Sequence, residues 1–122
     1  MNDKGTKGEE RAAKYLEKIG FEIVARNFTS RYGEIDIIAQ NGEFLIFAEV
    51  KARGKKTIGL PREFVDIRKQ RKIIKTALCF MAEKEIDRQV RFDVIEIHNY
   101  NEQDSINHIE NAFTMEIYDE SY

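Results

Sequence analysis

The chain has 122 residues, 42% hydrophobic and 34% charged, a mixture that fits one globular domain spanning 1–122 and excludes a disordered chain. No apolar run approaches the ~20 residues of a membrane span, and the opening Met-Asn-Asp-Lys-Gly-Thr-Lys lacks a signal-peptide core, so a cytoplasmic location is expected. One cysteine, Cys79, excludes an intrachain disulfide and a cysteine-rich zinc site, and a formal net charge of −2 argues at first against nucleic acid as a partner.

The first helix is predicted over Lys7 to Ile19. Glu9, Ala12, Ala13, Leu16 and Ile19 recur at helical spacing, and Gly20 stands at the stop position. Glu9 is the odd member of that small, apolar face. It either favours the positive end of the helix or points inward towards a site. Phe21 to Phe28 reads as a strand, followed by a polar stretch from Thr29 to Gly33. Tyr32 in that stretch could stack on a base, although a lone loop tyrosine is more commonly structural. Two further strands, Glu34 to Gln40 and Glu43 to Arg53, flank Asn41-Gly42, the signature of a tight hairpin turn with positive φ at both positions.

A basic, glycine-bounded loop runs from Gly54 to Gly59. Asp66 is a plausible N-cap for a second helix from Ile67 to about Glu85. Its inner face would carry Gln70, Ile74, Ala77, Leu78 and Met81, widened by Ile73 and Phe80. Val90 to Ile97 alternates as a strand. Tyr100 to Ser105 reads as a polar loop, and a last strand or short helix lies within Ile106 to Tyr118. The result is an α/β fold, a mixed sheet flanked by helices in the order αβββαβ, with a possible further β element.

The hairpin register predicts where the charges meet. With Asn41-Gly42 as the turn, Gln40 pairs with Glu43, Asp36 with Phe47 and Glu34 with Glu49. Residues that pair, or lie two apart, share a sheet face. Glu34, Asp36, Glu49 and Lys51 would therefore project from one face, with Asp36 and Glu49 about 7–8 Å apart at the backbone. Three carboxylates so placed repel one another unless a cation sits between them, and hard oxygen ligands suit Mg²⁺ or Mn²⁺. Lys51 adds a cation that could orient water or stabilise charge on phosphate. The bland reading is a solvated strand end with a Glu/Lys pair.

The charge is also unevenly spread. Between Lys51 and Lys75 ten basic residues face two acids, so the segment is +8 and the remainder −10. Arg53, Lys55, Lys56, Arg68, Lys69 and Lys72 are the expected contacts to a phosphate backbone. A solvated basic helix is the competing explanation. From Asn101 to Tyr122 there is no Lys or Arg at all.

Asp36, twelve residues, then Glu49-Val50-Lys51 resembles the PD-(D/E)xK signature of the restriction-endonuclease-like superfamily. The wider pattern resembles the YraN-like family of uncharacterised bacterial proteins. It comprises Gly8-Glu9, Gly20-Phe21, Arg26-Asn27-Phe28, Gly33 to Ala39, Phe47 to Arg53, Lys69-Gln70, Arg91 to Val94 and Ile109 to Phe113. That family is in turn similar to archaeal Holliday junction resolvases. Ile35 stands where the superfamily signature has proline.

The resemblance implies roles. Asp36 and Glu49 would hold the metal, with Glu9 contributing directly or through water. Lys51 would work beside the attacking water, Gln70 would sit near the site, and Glu34 would either bind the metal or support its ligands from behind. It implies a metal-dependent nuclease on DNA and, by analogy with resolvase-type relatives, a homodimer, for which Tyr100, Phe113 and Tyr118 could supply apolar area. The alternative is a non-catalytic nucleic-acid-binding module on the same fold.

Overall fold

A computed structural model describes residues 3–53, 66–100 and 103–116. The first apolar stripe builds α1, Asp3–Lys18, which buries Ala12, Ala13 and Leu16. Ile19 does not join them. It lies past the helix end and is 46% exposed. Gly20 follows at φ 103°, a left-handed turn that glycine makes without a Cβ penalty, and leads the chain into the sheet.

Three strands come next: β1, Glu22–Ser30; β2, Gly33–Gln40; and β3, Phe44–Arg53. The helix α2, Ile67–Lys84, precedes β4, Gln89–Tyr100, and β5, Gln103–Phe113. The last element, left open between strand and helix by its pattern, is thus a strand. Tyr100 to Ser105 is not simply a loop, because Tyr100 pairs with Gln103 and His98 with Ser105.

The five strands form one sheet in sequence order. Neighbours run antiparallel except β3 and β4, which are parallel. A parallel pair needs a crossover, and α2 lies within it. Alternate side chains of the central strands feed two cores. Leu45, Phe47, Phe92 and Val94 pack with Ile73, Ile74, Ala77 and Phe80 of α2. Ile46, Ala48, Ile95 and Ile97 pack with Ala12, Ala13 and Leu16 of α1. The sheet is therefore covered by one helix on each face, an arrangement compatible with the restriction-endonuclease-like expectation.

Asp66 caps α2 as anticipated, its side chain accepting from the Lys69 N–H at 2.8 Å. The buried stripe of α2 is Ile73, Ile74, Thr76, Ala77 and Phe80. Centring it on Ile73, Ala77 and Phe80 turns Leu78, expected inside, to the surface at 42% exposure. Phe113 is likewise no dimer surface: it is 8% exposed and stacks on Phe92 with ring centroids 5.0 Å apart.

The β2–β3 turn departs from the expected hairpin. Asn41 Oδ1 accepts from the Glu43 and Phe44 N–H groups, and the Asn41 N–H donates to the Phe44 carbonyl at 3.0 Å. Asn41 is thus the first residue of the reversal, which passes through Gly42 and Glu43 without positive φ. Gln40 pairs with Leu45, not Glu43, and Ile37 with Ala48. The slip is two residues, so side-chain parity survives and Asp36 arrives opposite Glu49.

A second departure is larger in consequence. Ile35 belongs to the core under α2, while Ile37, two residues on, belongs to the core under α1. Facing inverts at Asp36. Across the ladder, Phe28 pairs with Ile35 and Arg26 with Ile37, and between them Asn27 adopts φ 52°. A left-handed residue re-aims the side chains that follow, and both strands swap faces together. Glu49 and Lys51 keep the α2 side, while Glu34, of the opposite parity, reaches from the strand end both to Glu9 and Asp36 and to the cleft beside α2.

Gly8 in α1 lies over β3, where an added Cβ would meet Ala52 Cβ at 3.6 Å and Val50 Cγ1 at 3.8 Å. Those are ordinary contacts, so Gly8→Ala should stabilise the protein by about 0.5–1 kcal/mol through helix propensity. Denaturant unfolding checks this, and a loss of stability would show that α1 needs a closer approach than the contacts indicate. Among the described residues no helix is long and apolar enough to cross a membrane.

Candidate metal centre

The break at Asp36 places a carboxylate where strands β2 and β3 part. Asp36 Oδ2 accepts from the Val50 N–H at 2.8 Å, so its side chain takes over where the backbone ladder stops. Glu9 from α1 and Glu34 from β2 converge on it. One carboxylate oxygen from each of the three lies within 4.8 Å of the others. Arg26, from β1, is the cation nearest Glu9 among the described ion pairs, at 3.8 Å. Glu9, ambiguous from periodicity, therefore points inward.

Glu49 stands on the other side of Asp36. It is only 6% exposed and is held by two lysines. Lys51 Nζ lies 3.6 Å from Glu49 Oε2, and Lys69 Nζ forms a close ion pair with the same oxygen. Lys69, expected on a phosphate-binding surface, thus also reaches into the centre from the first turn of α2. Gln70, next to it, is half-buried, and its N–H donates to the Asp66 carbonyl at 2.9 Å.

The electrostatics follow from this placement. Burial, then the charge of Glu49, pushes the Asp36 carboxyl up to about 7, with Glu9 adding to the effect and the Val50 N–H opposing it. Burial and the neighbouring Lys69 charge lower the Lys51 ammonium, against the pull of Glu49. For Lys69 burial also acts downward, but its hydrogen bond and charge contact with Glu49 prevail and raise it. The centre holds more negative charge than its own cations compensate at Asp36. Hard carboxylate oxygens that converge this closely fit a divalent ion such as Mg²⁺ or Mn²⁺.

An open cleft of about 410 Å³ leads to these groups. Asp36, Glu49 and Glu34 line it together with Arg68, Lys69 and Lys72 of α2. Three of the six expected phosphate contacts are thereby brought to the site. Lys55 and Lys56 lie outside the described residues, as does the side chain of Arg53.

Sequence reasoning passed over one buried network on the α1 side of the sheet. Asp93 is fully buried, yet it accepts from Arg91 at 2.8 and 2.9 Å, from His108 Nε2 at 2.7 Å and from the Asn111 N–H at 3.0 Å. Burial alone would raise its carboxyl, but hydrogen bonds from His108 and Arg91 hold it below the ordinary value. Tyr15 of α1 completes the chain, its hydroxyl 2.8 Å from His108 Nδ1. The signals were the acid between Phe92 and Val94, two residues from Arg91, and the place of Arg91 to Val94 in the family-like pattern.

Residues 8–97 match the model of a family described as "Uncharacterised protein family UPF0102", a span that includes all of Glu9, Glu34, Asp36, Glu49, Lys51 and Lys69. A UPF0102 protein of Persephonella marina is 46% identical over 114 residues, covering 93% of this chain and 95% of the relative. One from Clostridium tetani is 46% identical over 114 residues, covering 91% and 93%. Another from Geobacter metallireducens is 44% identical over 112 residues, covering 91% and 92%. By the matched span and by likeness along nearly its whole length, the chain belongs to the UPF0102 family.

Proposed function

We propose that the protein is a metal-dependent nuclease that hydrolyses DNA phosphodiester bonds, with branched or damaged DNA as candidate substrates. One observation carries the reading: Asp36 joins the Glu9–Glu34 carboxylates on one side to the Glu49–Lys51–Lys69 group on the other, at the floor of a cationic cleft. Carboxyls raised by burial and like charge in a cleft concentrate at functional sites.

Glu9, Glu34 and Asp36 would hold Mg²⁺ or Mn²⁺, with Glu49 on the flank nearest Asp36. When bound, the ion would polarise a phosphoryl oxygen and lower the pKa of water. The chain's own groups supply the remainder. Arg68 and Lys72 bind the phosphate backbone, and Lys69 screens charge between Glu49 and the incoming phosphate. Lys51, its ammonium lowered by burial, can exchange a proton at Nζ with the attacking water or the departing oxygen.

The test is cleavage of single-stranded, duplex, flap and four-way DNA with Mg²⁺ or Mn²⁺. Lys51→Ala should cut at least ~10²-fold more slowly, the scale of losing one charge-stabilising donor. Equal cleavage by wild type and variant would mark the activity as contamination and defeat the proposal. DNA binding with no metal uptake by calorimetry would select the non-catalytic binding module instead.

A further inference from the structure

The two-residue turn between β1 and β2 carries Arg31 and Tyr32, flanked by the Ser30–Gly33 pair. This tip is fastened to α2 by a hydrogen bond and lies along it at Gly33. Ser30 Oγ lies 2.9 Å from Thr76 Oγ1 and also accepts from the Tyr32 N–H at 3.0 Å. Thr76 is fully buried and donates to the Lys72 carbonyl at 2.9 Å. On the other side of the turn, Gly33 neighbours Lys72, where a Cβ would make an ordinary 3.5 Å contact with Lys72 Cβ. The aromatic ring is therefore held in a fixed place beside α2.

That place is one end of a line of cations leaving the centre. Lys69 contacts Glu49, Lys72 lines the cleft with Gly33, and Lys75 Nζ lies over the Tyr32 ring, 5.2 Å from its centroid. Spaced three residues apart on α2, these lysines climb the helix by about 4.5 Å per step. Arg31 places its guanidinium over the same ring at 5.0 Å and donates to the Tyr32 hydroxyl at 2.8 Å. The ring thus already accepts a planar cation on its face, and Tyr32 is half-buried while Arg31 is exposed.

From this geometry we infer that Tyr32, backed by Arg31 and Lys75, is a stacking platform for an unpaired nucleobase of a single-stranded nucleic-acid segment whose phosphates follow Lys72 and Lys69 into the cleft. A base can lie on an aromatic face only when it is free of its own stack. A cationic track beside an aromatic ring therefore suits single strands better than intact duplex. Arg31 and Lys75, displaced from the ring, remain within reach of the neighbouring phosphates. The inference rests on the nucleic-acid reading of the cleft and narrows it to substrates with a single-stranded segment at the cleavage site.

The experiment is fluorescence anisotropy with the whole protein in Ca²⁺ or chelator. Probes are a single-stranded oligodeoxythymidine of about 20 nucleotides, a blunt duplex of similar length, and that duplex with a short single-stranded gap. Wild type should prefer the single-stranded and gapped probes. Tyr32→Ala should weaken those two by roughly 5- to 100-fold and leave the duplex unchanged, while Tyr32→Phe, which keeps the ring, stays within about 3-fold. If Lys72→Glu weakens every probe but Tyr32→Ala weakens none, the cleft binds nucleic acid and the platform is overturned. If Tyr32→Phe is as weak as Tyr32→Ala, the hydroxyl matters rather than stacking, and the platform again falls. If wild type binds none of the probes, the nucleic-acid reading itself fails, and this inference with it.

Discussion

Asp36→Asn should abolish divalent-ion binding and, at the same time, make the metal-free protein more stable. The Asp36 carboxyl is raised from 3.8 to about 7, so the folded state favours its neutral form. Stability linked to that group is fully present below the ordinary value and is lost as pH rises through about 7. Asparagine is neutral at every pH and its Oδ1 can still accept from the Val50 N–H. The gain above pH 7 should be about 1–3 kcal/mol, measured by thermal or denaturant unfolding in chelator. Wild type should recover stability when Mg²⁺ or Mn²⁺ is added, by about 2.7 kcal/mol at one hundred times the dissociation constant, and the variant should not respond. A variant that is less stable and still responds to metal would make Asp36 a structural residue.

The opposite outcome is expected at Asp93. Asp93→Ala removes the partner of Arg91 and His108, whose side chains are only 12% and 6% exposed, and frees the Asn111 N–H. Breaking a buried pair of this kind costs about 3–5 kcal/mol, because the remaining charge stays buried without compensation. Asp93→Asn should lose a comparable amount, since its amide NH₂ would confront donors. The contribution of Asp93 is fully present above its ordinary 3.8 and declines as pH falls through its lowered folded value. Acid unfolding of the variants should therefore be shallower than that of wild type. A loss below about 1 kcal/mol in denaturant titration would mean that Arg91 finds solvent or another acid, such as Glu110 at 3.5 Å.

Much of this was legible in residue order because it depends on local chemistry. Asp66 announced α2 through its capping side chain, and period-two alternation set β3 and β4. Glu49 and Lys51 could be placed on one face by parity alone. What escaped depends on single backbone torsions or on distant partners. Asn41-Gly42 carries a turn signal, but Asn41 spends its side chain on two N–H groups and shifts the reversal by one residue. Asn27 at φ 52° inverts two strands at once, and nothing in a string of letters distinguishes it from an ordinary strand residue. Glu34, read from the sequence as metal ligand or support, converges with Glu9 and Asp36 through that inversion. The Lys69–Glu49 pair joins helix to strand across twenty residues of sequence, beyond any spacing rule.

The outer strand β5 has a bearing on how the protein survives at high concentration. An edge strand offers unpaired backbone groups to any passing chain, which is how sheets grow into aggregates. Here Asn111 adopts φ 53° and sends its N–H inward to Asp93, and the β4–β5 register shifts between Phe92 and Val94. The far end of the edge is thus bent and one of its donors is spent on a buried acid. Along the strand, Ser105 and Glu110 are exposed to water. The contact that anchors the core on one side of the sheet thereby also spoils the template that a second sheet would need.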